Sequence, residues 1–226
     1  ASADANCEAL VPDFTSGVTA TDNCDESVTI TQDPAAGTTV TTGVHTITLT
    51  ATDDAGNFTT CEATFTVTDD TDPEITVCAD DDSATADSNC EALVPDFTAG
   101  VTATDNCDES VTITQDPAAG TTVTTGAHTI TLTATDDAGN FTTCEATFTV
   151  TDDTDPVITD CADDDSASAD ANCEALVPDF TSEVTATDNC DESVTISQDP
   201  AAGTPVTTGS HTITITATDD AGNTDT

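Results

Sequence analysis

Over much of this chain an apolar residue alternates with threonine. Residues 128–135 place Ile130, Leu132 and Ala134 on one side and Thr129, Thr131, Thr133 and Thr135 on the other. A period of two is that of a strand with one buried face. Between Pro73 and Asp155 the same pattern predicts strands at residues 75–77, 91–94, 101–104, 110–114, 121–124, 128–135 and 145–151, the last with Phe148 and Val150 inward. Pro95, residues 105–108, Asp116-Pro117, Gly126 and residues 136–140 interrupt it with the residues turns use. Residues 80–87, acidic and small, read as a loop or a weak edge strand. No stretch has a helical period. Short strands separated by turns about every 8–12 residues predict an all-β fold, an antiparallel β-sandwich of the immunoglobulin-like kind.

The pattern repeats. Cys7, Cys90 and Cys173 are spaced by 83 residues, as are Cys24, Cys107 and Cys190, and residues 1–83 differ from 84–166 at six positions. Tandem sandwiches follow, with boundaries expected at 1–72, 73–155 and 156–226. A faithful array points to a structural role, because a catalytic site needs to exist once. The period also predicts a cysteine just after Thr226, as counterpart of Cys61 and Cys144. The chain therefore reads as an excerpt of a longer polymer.

Charge narrows the role. There is no Lys or Arg against 45 acids, a net charge of −45. Nucleic acid and anionic membrane are excluded as direct partners, since nothing can neutralise phosphate. Salt bridges to Lys or Arg cannot form, so the acids repel one another unless cations intervene. Ten cysteines without CxxC spacing read as disulfides in an oxidising compartment, hence a secreted or cell-surface location. With no Trp, Tyr or Met, the core is left to Val, Ile, Leu, Phe and Ala.

Several segments together resemble the hyalin repeat (HYR) family: Asp105-Asn106-Cys107, residues 133–140 (Thr-Ala-Thr-Asp-Asp-Ala-Gly-Asn), Cys144 with Phe148 and Val150, and Asp155-Pro156 with Ile158 and Cys161. One departure is Cys-Ala where the family has Cys-Pro after the first strand. The resemblance implies an immunoglobulin-like extracellular module used in adhesion, and long arrays of it are similar to the giant surface adhesins of gliding bacteria.

The acids gather at the expected joints. The linker (Asp69, Asp70, Asp72), the Asp105-Asn106-Cys107-Asp108 turn and the Asp136-Asp137…Asn140 turn are expected to meet at one end of a sandwich. The next joint would use Asp152, Asp153, Asp155, Asp188, Asp219 and Asp220. Hard oxygen donors at that density suit structural Ca²⁺; Asp and Asn are also ordinary turn residues.

For the disulfides, one scheme stays within a domain: Cys90–Cys107 and Cys78–Cys144, with Cys7–Cys24 and Cys173–Cys190 as counterparts. The rival, Cys61–Cys78 and Cys144–Cys161, crosses the joint. His45, His128 and His211 each lie alone on a solvent face, and no Ser/His/Asp constellation occurs. Asn57 and Asn140 fit N-x-T, and Ser83 and Ser166 fit a D-S-A acceptor pattern for glycans. The sequence thus predicts a non-enzymatic segment of an adhesive surface filament, whose partners are neighbouring repeats and possible surface glycans or cells. A glycan- or ice-binding array, or the spacer of a secreted enzyme, is the alternative.

Overall fold

A computed structural model describes residues 1–226. The chain is all-β apart from three single 3₁₀ turns, Thr15–Gly17, Thr98–Gly100 and Thr181–Glu183. By proximity it divides into two compact units: residues 1–79, 97–116 and 131–145, and residues 80–96, 117–130 and 146–226.

The first unit contains the first repeat. Its main sheet is Thr29–Asp33, Gly43–Thr52 and Phe58–Val67, all antiparallel, and Glu8–Leu10 pairs with Thr39–Thr41. Alternation sends Ile47, Phe65 and Val67 onto Val11, with Phe14 edge-on to Phe65 at a ring separation of 6.4 Å. In the same unit Glu74–Val77 pairs with Thr102–Thr104.

The second unit carries the corresponding pairs of the third repeat: Glu174–Leu176 with Pro205–Thr207, Val157–Asp160 with Thr185–Thr187, and Thr195–Asp199 with Thr214–Thr218.

The middle repeat shows the sheet in full, in the order Thr112–Asp116, Gly126–Thr135, Phe141–Thr151, Asp82–Thr85. The last of these is parallel to its neighbour, with Phe148 opposite Asp82 and Thr151 opposite Thr85. The sheet is therefore mixed, and the acidic segment expected to be a loop or weak edge is a parallel edge strand. Charged and small residues suit an edge, where they discourage further pairing. Ile130, Leu132 and Ala134 are fully buried, and Phe148 and Val150 nearly so. The Phe-x-Val strand is thus interior to the sheet and fills the core.

Each histidine makes one contact with the backbone in an exposed setting. His128 Nε2 lies 2.7 Å from the Thr124 carbonyl, and His45 and His211 repeat the contact at 2.6 and 2.7 Å with Thr41 and Thr207. Each ring ties down the corner at the following strand, where Gly43, Gly126 and Gly209 have φ of 125°, 119° and 141°. Only glycine adopts such angles at no steric cost.

Candidate metal centre and inter-repeat disulfides

Two acidic turns and one linker build the candidate centre. In the first turn Asp105 Oδ1 accepts the amides of Cys107 at 2.7 Å and Asp108 at 3.1 Å. In the second, Asp136 Oδ1 accepts the amides of Gly139 at 2.6 Å and Asn140 at 2.7 Å, and its Oδ2 accepts Asn140 Nδ2 at 2.7 Å. Aspartate favours such turns because its short side chain caps its own backbone. The Asp137 amide then donates to Asp108 Oδ2 at 2.6 Å, joining the turns, and Asn140 Nδ2 reaches the Asp69 carbonyl at 3.2 Å, joining the linker.

Ligand atoms of Asp69, Asp105, Asp108 and Asp136 consequently lie within 4.8 Å of one another. Asp136 is only 6% exposed. Asp69 Oδ2 and Asp105 Oδ2 are buried and accept no hydrogen bond. Two anions at such a distance repel by roughly 3 kcal/mol at an effective dielectric of about 20. Orphaned carboxylate oxygens facing other carboxylates fit a hard divalent cation with oxygen ligands, Ca²⁺ above all. Cys107 lies beside Asp69 and Asp105, but its sulfur is in a disulfide and offers no thiolate.

The arrangement recurs at Asp152, Asp188, Asp191 and Asp219, where Asp152 Oδ2 and Asp188 Oδ2 are orphaned in the same way. The first repeat brings together Asp22, Asp25 and Asp53 alone. Asp191 was missing from the expected ligands although the period marks it as the counterpart of Asp108.

Other expected ligands are elsewhere. Asp70 accepts the Ser2 hydroxyl at 2.5 Å and Asp153 the Thr85 hydroxyl at 2.8 Å. Asp137 and Asp220 contribute backbone amides, the latter to Asp191 Oδ2 at 2.6 Å. Asn106 Nδ2 points at the sulfur of Cys107, 3.0 Å away. Asp72 and Asp155 belong to neither cluster.

The disulfides correct the expected pairing. Cys78 bonds Cys144 within the middle repeat, with Cα atoms 6.2 Å apart. Cys107 does not bond Cys90. It bonds Cys7 of the preceding repeat, and Cys90 bonds Cys190 of the following one, at Cα separations of 5.2 and 5.1 Å. With Cys107 bonded to Cys7 and Cys90 to Cys190, neither sulfur is left for the other. Cys24 and Cys173, expected in disulfides, are unpaired and exposed, as are Cys61 and Cys161, so the rival scheme across the joint is not adopted either.

Cys7, Cys90 and Cys173 share a left-handed backbone, φ 64°, 65° and 62°. In the middle repeat an aspartate box holds this turn: Asp87 Oδ1 accepts the amides of Asn89 at 2.8 Å and Glu91 at 3.2 Å. These bonds hold the Asp87 carboxyl below its ordinary pKa, the Asn89 amide most strongly.

Of the glycan candidates, Asn57, Ser83 and Ser166 are exposed. Asn140 is half-buried with its amide nitrogen held by Asp136 and Asp69, so a glycan there would break the metal centre's own scaffold.

The solved structures similar to this chain are distant. Protocadherin gammaB7 EC3-6 is 16% identical over 94% of this chain and 62% of its own length, with a TM-score of 0.39. Human CDH23 EC21-23 is 16% identical over 82% and 74%, TM-score 0.36. Sidekick-1 immunoglobulin domains 1-4 are 13% identical over 100% and 70%, TM-score 0.33. The chain spans less than two thirds of the first of these. No curated protein matches it. The HYR domain family matches at residues 11–68, 68–151 and 151–226, end to end over the same turns and cysteines that build the candidate centre, and the chain belongs to that family.

Proposed function

We propose that this chain is a structural, adhesive repeat segment of a secreted cell-surface filament, of the kind the gliding-bacterium adhesins exemplify. The observation that supports it most directly is the pair of disulfides Cys7–Cys107 and Cys90–Cys190, each of which ties one repeat to the next. Covalent ties between modules resist extension in a way that module folding alone does not. The domain boundaries 1–72, 73–155 and 156–226 belong to the same reading.

Asp69, Asp105, Asp108 and Asp136 would hold one Ca²⁺, and Asp152, Asp188, Asp191 and Asp219 a second. Bound there, the ion supplies charge neutralisation between linker and turns. The chain's own residues do the positioning: Asn140 fixes the linker carbonyl, Asp137 fixes Asp108, and the disulfide holds the Asp105 turn in place. The role is mechanical, with no catalytic step, and the excess negative charge keeps filaments apart.

Calorimetric titration of the oxidised chain with CaCl₂ tests this reading. Two comparable tight sites, beside a weaker one at Asp22, Asp25 and Asp53, are expected, and Asp105→Asn should remove one of the tight pair. No heat of binding, together with an identical Tm in Ca²⁺ and in chelator, would remove Ca²⁺ from the reading. The mechanical role is tested separately by single-molecule extension before and after reduction. An unchanged force–extension curve would overturn it.

A further inference from the structure

We propose that, once the chain is pulled taut, tension runs through two disulfides and the short backbone stretch between Cys90 and Cys107, by-passing the linker and the rest of the middle repeat. The inference rests on the mechanical reading above and names the residues that carry the force.

Cys107 is bonded back to Cys7, and Cys90 forward to Cys190. Along the chain, the cysteine tied to the preceding repeat therefore comes after the one tied to the following repeat. Force entering at Cys7 crosses to Cys107, returns along the backbone to Cys90, and crosses to Cys190. The return is about 17 residues, ~60 Å when straight, against ~290 Å for the backbone of a whole repeat. The shortest covalent path reaches its limit first, and every longer path between the same points stays slack. The Cys78–Cys144 bond offers only a detour, from Cys107 on to Cys144, across to Cys78 and forward to Cys90. That detour is about 49 residues, ~170 Å, and is slack as well.

The slack parts include most of the core and most of the acids. Linker residues 69–72 lie inside the loop closed by Cys7 and Cys107. The strands Gly126–Thr135 and Phe141–Thr151 lie off the route. Of the four clustered aspartates, Asp69, Asp108 and Asp136 are off it and Asp105 is on it. Tension thus reaches the candidate metal centre through Asp105.

The taut stretch is itself anchored. Glu91–Leu93 pairs with Thr122–Thr124, and Thr102–Thr104 with Glu74–Val77. Between them Val94 and Phe97 are 2% and 5% exposed. Gly100 passes so close to Ala79 that a Cβ on it would stand 3.0 Å from the Ala79 Cβ. Straightening the stretch has to break both pairings and draw both apolar side chains into water.

Optical-trap extension of the oxidised chain, held at Ala1 and Thr226, tests the route. A final contour of about 210 Å is expected, rising roughly fourfold on reduction. About 20 Gly/Ser residues inserted between Ala99 and Gly100 should lengthen the oxidised contour by ~70 Å. The same insert between Ala118 and Ala119, exposed and off the route, should leave the oxidised contour unchanged and add its length only after reduction. Where an insert disturbs folding, the contour of the uninserted chain decides. An oxidised contour well above about 210 Å overturns the proposal. So does an oxidised chain that lengthens with the insert after Ala118 or ignores the one after Ala99. In each of those cases a gain in length on reduction leaves the mechanical reading standing. Equal contours before and after reduction would remove both.

Discussion

The middle and third repeats carry almost the same residues, yet corresponding segments take different local structure. Gly126-Ala127-His128-Thr129-Ile130 is strand, while Gly209-Ser210-His211-Thr212-Ile213 is not. The local propensities match, so the difference comes from the partner. The middle segment has the Phe141–Thr151 strand alongside, whereas the third has on that side only the two residues Thr224–Asp225 of those given. Strand structure in this family is therefore a property of pairing more than of composition.

The sharpest way to break the comparison is to open the middle repeat. Phe148→Ala removes the largest fully buried side chain and is expected to cost about 3–5 kcal/mol. Residues 126–130 should then exchange amide protons as residues 209–213 do. Hydrogen exchange read by mass spectrometry checks this, and unchanged protection would show that pairing alone, without the core contact, holds the strand.

Next in size is the Cys78–Cys144 disulfide of the middle repeat. Cys144→Ser removes the Cys78 link across a sequence separation of 66, with an expected loss of about 2–4 kcal/mol. The thermal transition of the middle repeat should move down by several degrees, and an unchanged transition would mean that the bond does not stabilise this repeat.

A second contrast concerns the metal centres. Two clusters hold four aspartates each, and the first repeat holds Asp22, Asp25 and Asp53. Ca²⁺ at about 100 times Kd stabilises a site by roughly 2.7 kcal/mol. Two tighter sites and one weaker are expected, and Asp136→Asn should abolish a tight one while Asp53→Asn removes the weak one. Equal affinity at all three would mean that the linker aspartate is not a ligand.

These contrasts also show what the sequence discloses. Alternation reveals the strand bearing Ile130, Leu132 and Ala134, because burying one face leaves a period of two. It hides Asp82–Thr85, whose pairing is long-range and whose residues look like a loop. Asp105 and Asp136 are legible as turn acids that meet. Asp70, Asp72 and Asp153 look equivalent in sequence, and only the fold of the linker separates them from Asp69. The Cys7–Cys107 bond is hidden for another reason. A perfect period makes Cys107 and Cys24 interchangeable as partners, and nothing local distinguishes this repeat's turn from the next one's.

The smallest expected effect sharpens the opening comparison from the other side. Asp87 in the middle repeat and Asp170 in the third hold the same turn, before Cys90 and Cys173. Both carboxyls are held below their ordinary pKa, Asp87 chiefly by the Asn89 amide and Asp170 chiefly by the Glu174 amide. A depressed folded pKa contributes stability that is present above the ordinary carboxylate value. That contribution is lost as pH falls through the lower, folded value. Both groups are exposed, so the effect is small and screened by salt. It should also be alike in the two repeats, since both turns carry the same backbone hydrogen bonds to the aspartate. NMR titration of the Glu91 and Glu174 amides below pH 4 checks this. Matching midpoints would show that the disulfide at Cys90 does not alter the turn before it. A higher midpoint at Glu174 would mean that the turn before the unpaired Cys173 is held less firmly than the turn before the bonded Cys90.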